Sequence, residues 1–158
     1  YSFLTYPGFI FSEYVKERFM KIKTAALILS MCFSATALSD VHVVVHNSNN
    51  DEFDNKVISR IFLGKSKSFP SGVPAIPINQ TENAQITSLF NKKVLNKSSS
   101  QLKAYWSKLV FTGKGTPPKS VSGDQQVMEL VTNNPNFIGF VSSDALDGSV
   151  KVIATIQN

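Results

Sequence analysis

The run Val41-His42-Val43-Val44-Val45-His46 restricts the fold more than any other stretch of the sequence. Its β-branched residues suit a strand buried on at least one face, with His42, Val44 and His46 on the same side. Such a strand needs apolar cover, and the residues after it supply that cover in alternation. Asn47 to Asn50 offers turn chemistry. Asp51 then stands where it could cap a helix whose apolar positions Phe53, Val57, Ile58, Ile61 and Phe62 recur at helical spacing and which Gly64 ends. Beyond a loop containing Ser66, Ser68, Pro70, Ser71 and Gly72, Val73 to Ile78 reads as a strand. Its two prolines suit an edge or an irregular pairing.

The second half repeats the alternation. A helix carries Ile86, Leu89, Phe90 and Val94 on one face. Another begins at Ser98, with Gln101 at the capping-box spacing and an apolar stripe of Leu102, Tyr105, Trp106, Leu109 and Val110. Thr112 to Pro118 holds two glycines and two prolines and must be a loop. Ser122 and Gln125 repeat the capping-box spacing ahead of Val127, Leu130 and Val131, and Asn133-Asn134-Pro135 stops that helix. Phe137 to Val141 and Val150 to Ile156 read as the last strands, joined through Asp144 to Gly148. Strands and helices in this order predict an α/β domain with a mainly parallel sheet flanked by helices.

Composition is consistent with a folded chain: 158 residues, 42% hydrophobic and 17% charged. The net charge is +5, but from Asp40 onward 12 Lys and Arg face 9 Asp and Glu, a balance of +3. Those bases are scattered apart from Lys92-Lys93. A nucleic-acid partner is therefore not expected, and a modest preference for anions is the most that the charge supports.

Met20-Lys-Ile-Lys, the apolar run Thr24 to Leu38 and the polar start Ser39-Asp40 follow the order of a secretory signal peptide, with Ala35, Ala37 and Ser39 as small residues near the cleavage point. The run is short of the ~20 apolar residues a spanning helix needs, so no membrane span is expected in the mature form. A lipidated Cys32 would follow the bulky Met31, which fits that modification poorly. Residues 1–19 precede Met20 and read as an upstream or misassigned start segment, residues 20–39 as the signal peptide and residues 40–158 as the domain. Cys32 is the only cysteine, so a cleaved chain would form neither disulfide nor thiolate metal site.

Three stretches together resemble a known family: Ile61-Phe62-Leu63-Gly64-Lys65, Tyr105-Trp106-Ser107-Lys108-Leu109-Val110-Phe111-Thr112-Gly113-Lys114-Gly115-Thr116-Pro117-Pro118, and Asn134-Pro135-Asn136-Phe137-Ile138-Gly139-Phe140-Val141. They look like the short, PstS-like substrate-binding proteins of phosphate ABC transporters. The resemblance implies a periplasmic-binding-protein-like domain reduced to a single lobe, a periplasmic location, no catalysis, no cofactor, and inorganic phosphate or another small oxyanion as ligand. An ABC permease or a periplasmic sensor protein is the implied partner.

Full-length members of that family carry an Arg, an acid and a Ser-Gly-Thr at a helix start, after the strand that here ends near Asn79. The corresponding residues here are Gln80, Glu82 and Ala84-Gln85-Ile86. A helix start suits an anion because free N–H groups and the macrodipole face it, but losing the Arg removes a charge-assisted bond about twice as strong as a neutral one. Candidate ligand-binding residues are Gln80, Thr81, Asn83 and Ala84 there, Asn47, Ser48 and Asn49 after the first strand, and Thr112, Lys114 and Thr116 in the Gly-rich loop. For each of these polar residues the alternative is a cap or turn role. With its signature altered, the domain could instead be a ligand-free interaction or sensor-accessory module that retains the fold.

Other chemistries fail on spacing. Gly113-Lys114-Gly115-Thr116 lacks the upstream Gly of a P-loop and the Ser or Thr directly after its Lys. His42 and His46 lie roughly 13 Å apart along a strand rising ~3.3 Å per residue and cannot share an ion. Asp51, Glu52 and Asp54 read as first-turn acids offsetting a helix dipole. Trp106 and Tyr105 fit core packing better than a stacking platform, and no nucleophile, base or paired-carboxylate arrangement emerges. Expressed as the full chain in a Gram-negative host, the protein should be recovered from the periplasm with an intact mass beginning at Leu38 or Asp40; retention of residues 20–39 in that fraction would contradict the signal peptide.

Overall fold

The computed structural model describes residues 39–81 and 84–158; the expected start segment, all of the expected signal peptide but Ser39, and also Glu82 and Asn83 lie outside them. Strand β1 is Val41–His46, helix α1 Asn55–Phe62, β2 Ile76–Gln80, α2 Gln85–Lys93, α3 Ser99–Phe111, β3 Lys119–Val121, α4 Asp124–Asn133, β4 Phe137–Ser142 and β5 Val150–Ile156. The five strands form one sheet in the order β3-β2-β4-β1-β5. β2 pairs parallel with β3 and β4, while β1 pairs antiparallel with both β4 and β5. Four strands therefore run one way and β1 runs against them. The α/β class, the flanking helices and the prevailing strand direction are as expected. The opposed interior strand β1 was not.

Pleating sends β1 into both layers of the core. Val41, Val43 and Val45 pack with Ile58 and Ile61 of α1, Phe90 of α2 and Leu102 of α3 on one face. Val44 packs with Val127, Met128 and Val131 of α4 on the other. All four valines are fully buried, which at ~1.5–3 kcal/mol per buried Val side chain makes β1 a principal source of stability. On the three-helix face, Phe90 stacks on Phe140 of β4 at 4.3 Å between ring centroids, and Phe62 meets Phe90 edge-on at 4.7 Å.

Local signals shifted where tertiary contacts overrode them. Asp54, not Asp51, caps α1, accepting from the Val57 amide at 2.6 Å. Phe53 packs edge-on against Phe69, residues 51–54 stay outside the helix, and Asp51 instead accepts from the Ser71 hydroxyl at 2.7 Å, tying down the loop. The second strand begins at Ile76, because Val73 and Ala75 bond back to Phe69 and Lys67. β2 is an interior strand, and its pairing is irregular. It matches β4 only at Ile76 and Pro77, and β3 only from Ile78 onward, past the proline that lacks an N–H. Ser98 and Gln101 form the expected reciprocal capping box on α3. Ser122 does not form one: α4 starts after Gly123, and the Ser122 amide donates to Gln126 Oε1 at 3.0 Å. β3 has only three residues and falls where no element was expected.

β4 packs directly on α4 at Gly139, where an added Cβ would lie 2.4 Å from Val127 Cγ1. Gly139→Ala should lower stability by about 1–3 kcal/mol, read as a drop in the urea midpoint, because it overpacks a closed interface.

Candidate functional site

The carboxyl ends of β2, β3 and β4 converge with the amino end of β1. Gln80 is level with Val121, and Ser142 with Val41. The helices α2 and α4 both start at this edge. In open α/β sheets, ligands bind outside the carboxyl ends of the strands.

Gln80 is 3% exposed and spends both of its amide hydrogens internally, one on Asp124 Oδ1 at 2.6 Å and one on the Phe140 carbonyl at 2.9 Å. The other Asp124 oxygen accepts from the Ser142 amide and from the Ser142 hydroxyl. A carboxylate in the first turn of α4 also offsets that helix's dipole. Gln80 therefore joins β2, β4 and α4 and leaves no donor for a ligand. Asp124 and Ser142 were not singled out from the sequence, and the spacing of one helix-start acid gives no sign that it is shared.

Thr81 is exposed; its amide donates to the Val121 carbonyl and its carbonyl accepts from the Ala84 amide at 3.0 Å, just before α2. Ala84 is the N-cap and supplies no side-chain hydrogen bond. Of the residues predicted here, Gln80, Thr81 and Ala84 share one edge, while Asn83 lies outside the described residues. Nearby, His42 bonds through Nδ1 to Thr155 Oγ1 and through Nε2 to Ser143 Oγ, each at 3.0 Å. The Asn158 amide donates to Asp40 Oδ1.

The other two clusters are not brought to this edge. Because β1 is antiparallel, its carboxyl end and the turn Asn47 to Asn49 sit at the opposite end of the sheet. There Asn47 Nδ2 donates to the Gly148 and Ser149 carbonyls, the Ser48 hydroxyl bonds His46 Nδ1, and Asn49 Oδ1 accepts from the Asp51 amide. In the loop that Asn47 holds, before β5, the Ser149 hydroxyl and amide hold the Asp147 carboxyl below the usual carboxylate range. Thr112 Oγ1 donates to the Lys108 carbonyl at 2.8 Å, finishing α3. Lys114 and Thr116 line a cavity of about 410 Å³ with Pro77 and Ile76, at the amino end of β2, roughly 13 Å from Gln80 at ~3.3 Å per residue.

Among the described residues no three His, Cys, Asp or Glu side chains gather as metal ligands would. Nor is any described helix long and apolar enough to cross a membrane.

Replacing Asp124 by Ala would strand the buried Gln80 carboxamide and the Ser142 amide. A loss of about 1–3 kcal/mol in unfolding free energy is expected, with faster amide exchange at Ser142.

Known family models give no match to this chain, and no curated protein matches its sequence. Solved structures do match. A Clostridium perfringens protein described as a phosphate ABC transporter substrate-binding protein, with bound phosphate, superposes with a TM-score of 0.58 at 16% identity over 73% of this chain and 45% of its own. PstS from Borrelia burgdorferi gives a TM-score of 0.55 at 10% identity, again over 73% of this chain and 47% of its own. The chain spans less than half the length of these proteins, and what it shares with that portion of phosphate-type substrate-binding proteins is the fold.

Proposed function

We propose that this is a non-enzymatic, periplasmic solute-binding module that takes phosphate or a related small oxyanion weakly, at the start of α2, and serves phosphate transport alongside an ABC permease. The observation carrying this reading is the position of Thr81 and Ala84. They are hydrogen-bonded at the carboxyl edge of a fold shared with phosphate-binding proteins, just before a helix whose N-cap Ala84 makes no side-chain bond. The start of a helix offers N–H groups and a positive dipole end to an anion. The +3 balance from Asp40 onward favours the same ligand class.

Weak affinity follows from the chemistry of the site. Where full-length relatives place an Arg, Gln80 is committed to Asp124 and Phe140, and Ala84 has no hydroxyl to contribute. The same commitment of Gln80 favours a second reading, a periplasmic interaction or sensor-accessory domain that kept the fold and gave up the ligand.

Calorimetry on the protein purified after expression of the full chain separates the two. Phosphate or sulfate should bind with a dissociation constant near 1 mM, about −4 kcal/mol. Combining Ala84→Ser, Gln85→Gly and Ile86→Thr should tighten binding by about tenfold, since a hydroxyl and freer amides each add hydrogen bonds of about 0.5–1.5 kcal/mol. No heat with either anion at several millimolar, for the parent and the triple variant alike, would leave the accessory-domain reading.

A further inference from the structure

Bases that look scattered along the sequence are gathered by the fold. From Asn55 to Gly123, the stretch that holds α1, α2 and α3, there are 11 Lys and Arg and one acid, Glu82; the remaining residues from Asp40 onward hold Lys151 and eight acids. The modest balance of +3 is thus made of two parts of opposite sign, and the three-helix side of the sheet is the positive one. Lys56, Arg60 and Lys65 line a groove beside α1. Lys67, Lys114 and Lys119 line the cavity at the amino end of β2. Among the described residues neither wall contains an Asp or Glu. Asp51 and Asp54, just before α1, are engaged by the Ser71 hydroxyl and the Val57 amide.

Helix α3 gives this side an apolar tip. Its inward positions are Leu102, which is buried, and Tyr105, Trp106 and Leu109, which are half-buried. At about 100° per residue, Phe111 falls on the opposite face, in line with the exposed Ser100, Ala104 and Ser107 and between the exposed Lys103 and Lys108. Phe111 is 93% and Val110 52% exposed. The chain then turns back on the helix, with the Lys114 amide donating to the Leu109 carbonyl at 2.9 Å, so a further Lys stands at the same end. Pro117 and Pro118 line both the cavity that Phe111 and Val110 border and the one that holds the exposed Ile76, which joins these apolar residues into one surface.

We infer that the three-helix side docks on an anionic lipid surface, with Phe111 and Val110 entering the interface and Lys103, Lys108 and Lys114 meeting the lipid phosphates. Peripheral domains hold to bilayers by this combination: apolar side chains reach the head-group boundary while Lys side chains extend to the anionic layer above it. Two other partners suit the surface less well. A second copy meeting the same side would bring like charges together. Single-stranded nucleic acid stacks on successive aromatic rings along a basic groove, whereas Val110, Ile76 and the prolines around Phe111 are aliphatic. Gln80, Thr81 and Ala84 take no part, so the inference stands whether or not an oxyanion binds at the start of α2.

Co-sedimentation of the protein, purified after expression of the full chain, tests this with vesicles of phosphatidylcholine alone and of equimolar phosphatidylcholine and phosphatidylglycerol. Binding to the anionic vesicles should be at least about tenfold tighter, since each Lys at a charged surface supplies about fivefold. Raising the salt to about 1 M, where the screening length is ~3 Å, should remove that preference. Phe111→Ser should weaken binding to the anionic vesicles about tenfold, and Lys108→Gln with Lys114→Gln about 25-fold. All three positions are exposed, so the variants should keep the circular dichroism of the parent and its calorimetric response to phosphate. Equal binding to the two kinds of vesicle, no loss in Phe111→Ser, or tighter binding to a single-stranded oligonucleotide than to the anionic vesicles would each overturn the inference.

Discussion

The direction of β1 governs the arrangement of everything else. It lies between β4 and β5, opposed to both, and its four valines are wholly buried. A parallel neighbour in that position would need a crossover from the far end of the sheet. An opposed one lets the chain leave β1 at the amino end of β2, run through α1 and enter β2 after the loop of residues 63–75. The consequence is a division of polar residues between the two ends of the sheet. The turn that follows β1 is spent on holding β5, and the starts of α2 and α4 have the carboxyl edge to themselves.

At that edge a polar side chain serves the fold. A side chain that projects from the end of β2 could reach a ligand, but Gln80 turns inward and satisfies a carboxylate, a strand carbonyl and, through Asp124, the end of β4. Buried polar groups are tolerable when they are hydrogen-bonded, and here the Gln80 carboxamide nitrogen and both Asp124 oxygens have partners. The result is an edge in which β2, β4 and α4 are tied together through side chains.

Much of the architecture was legible because it rests on local pattern. The valine run of β1, the strands at Phe137 and Val150, and the reciprocal cap of Ser98 and Gln101 all follow from residues adjacent in sequence. What escaped was set by distant partners. Asp51 and Asp54 are equally good caps on paper, and only the contact between Phe53 and Phe69 selects Asp54. Period alone does not give a strand's direction, so Asn47 to Asn49 could be thought close to Thr81. Gln80 reads as a substitution for an Arg and not as a strut, because Asp124 belongs to a helix that begins after the next strand. The stripe of α3 is the clearest helical signal in the chain, yet most of it is only half-covered, since the β3 edge that would complete its burial is three residues long.

That incomplete burial has a dynamic consequence. The free energy of local opening scales with the apolar surface and hydrogen bonds that opening exposes. For α3 these amount to Leu102, the flank of Trp106 and the Tyr105 bond, whereas β1 and β4 can be exposed only by taking the whole sheet apart. Amides of α3 should thus exchange through small excursions while those of β1 wait for global unfolding, and the domain is best regarded as a stiff three-layer body carrying one loosely moored helix.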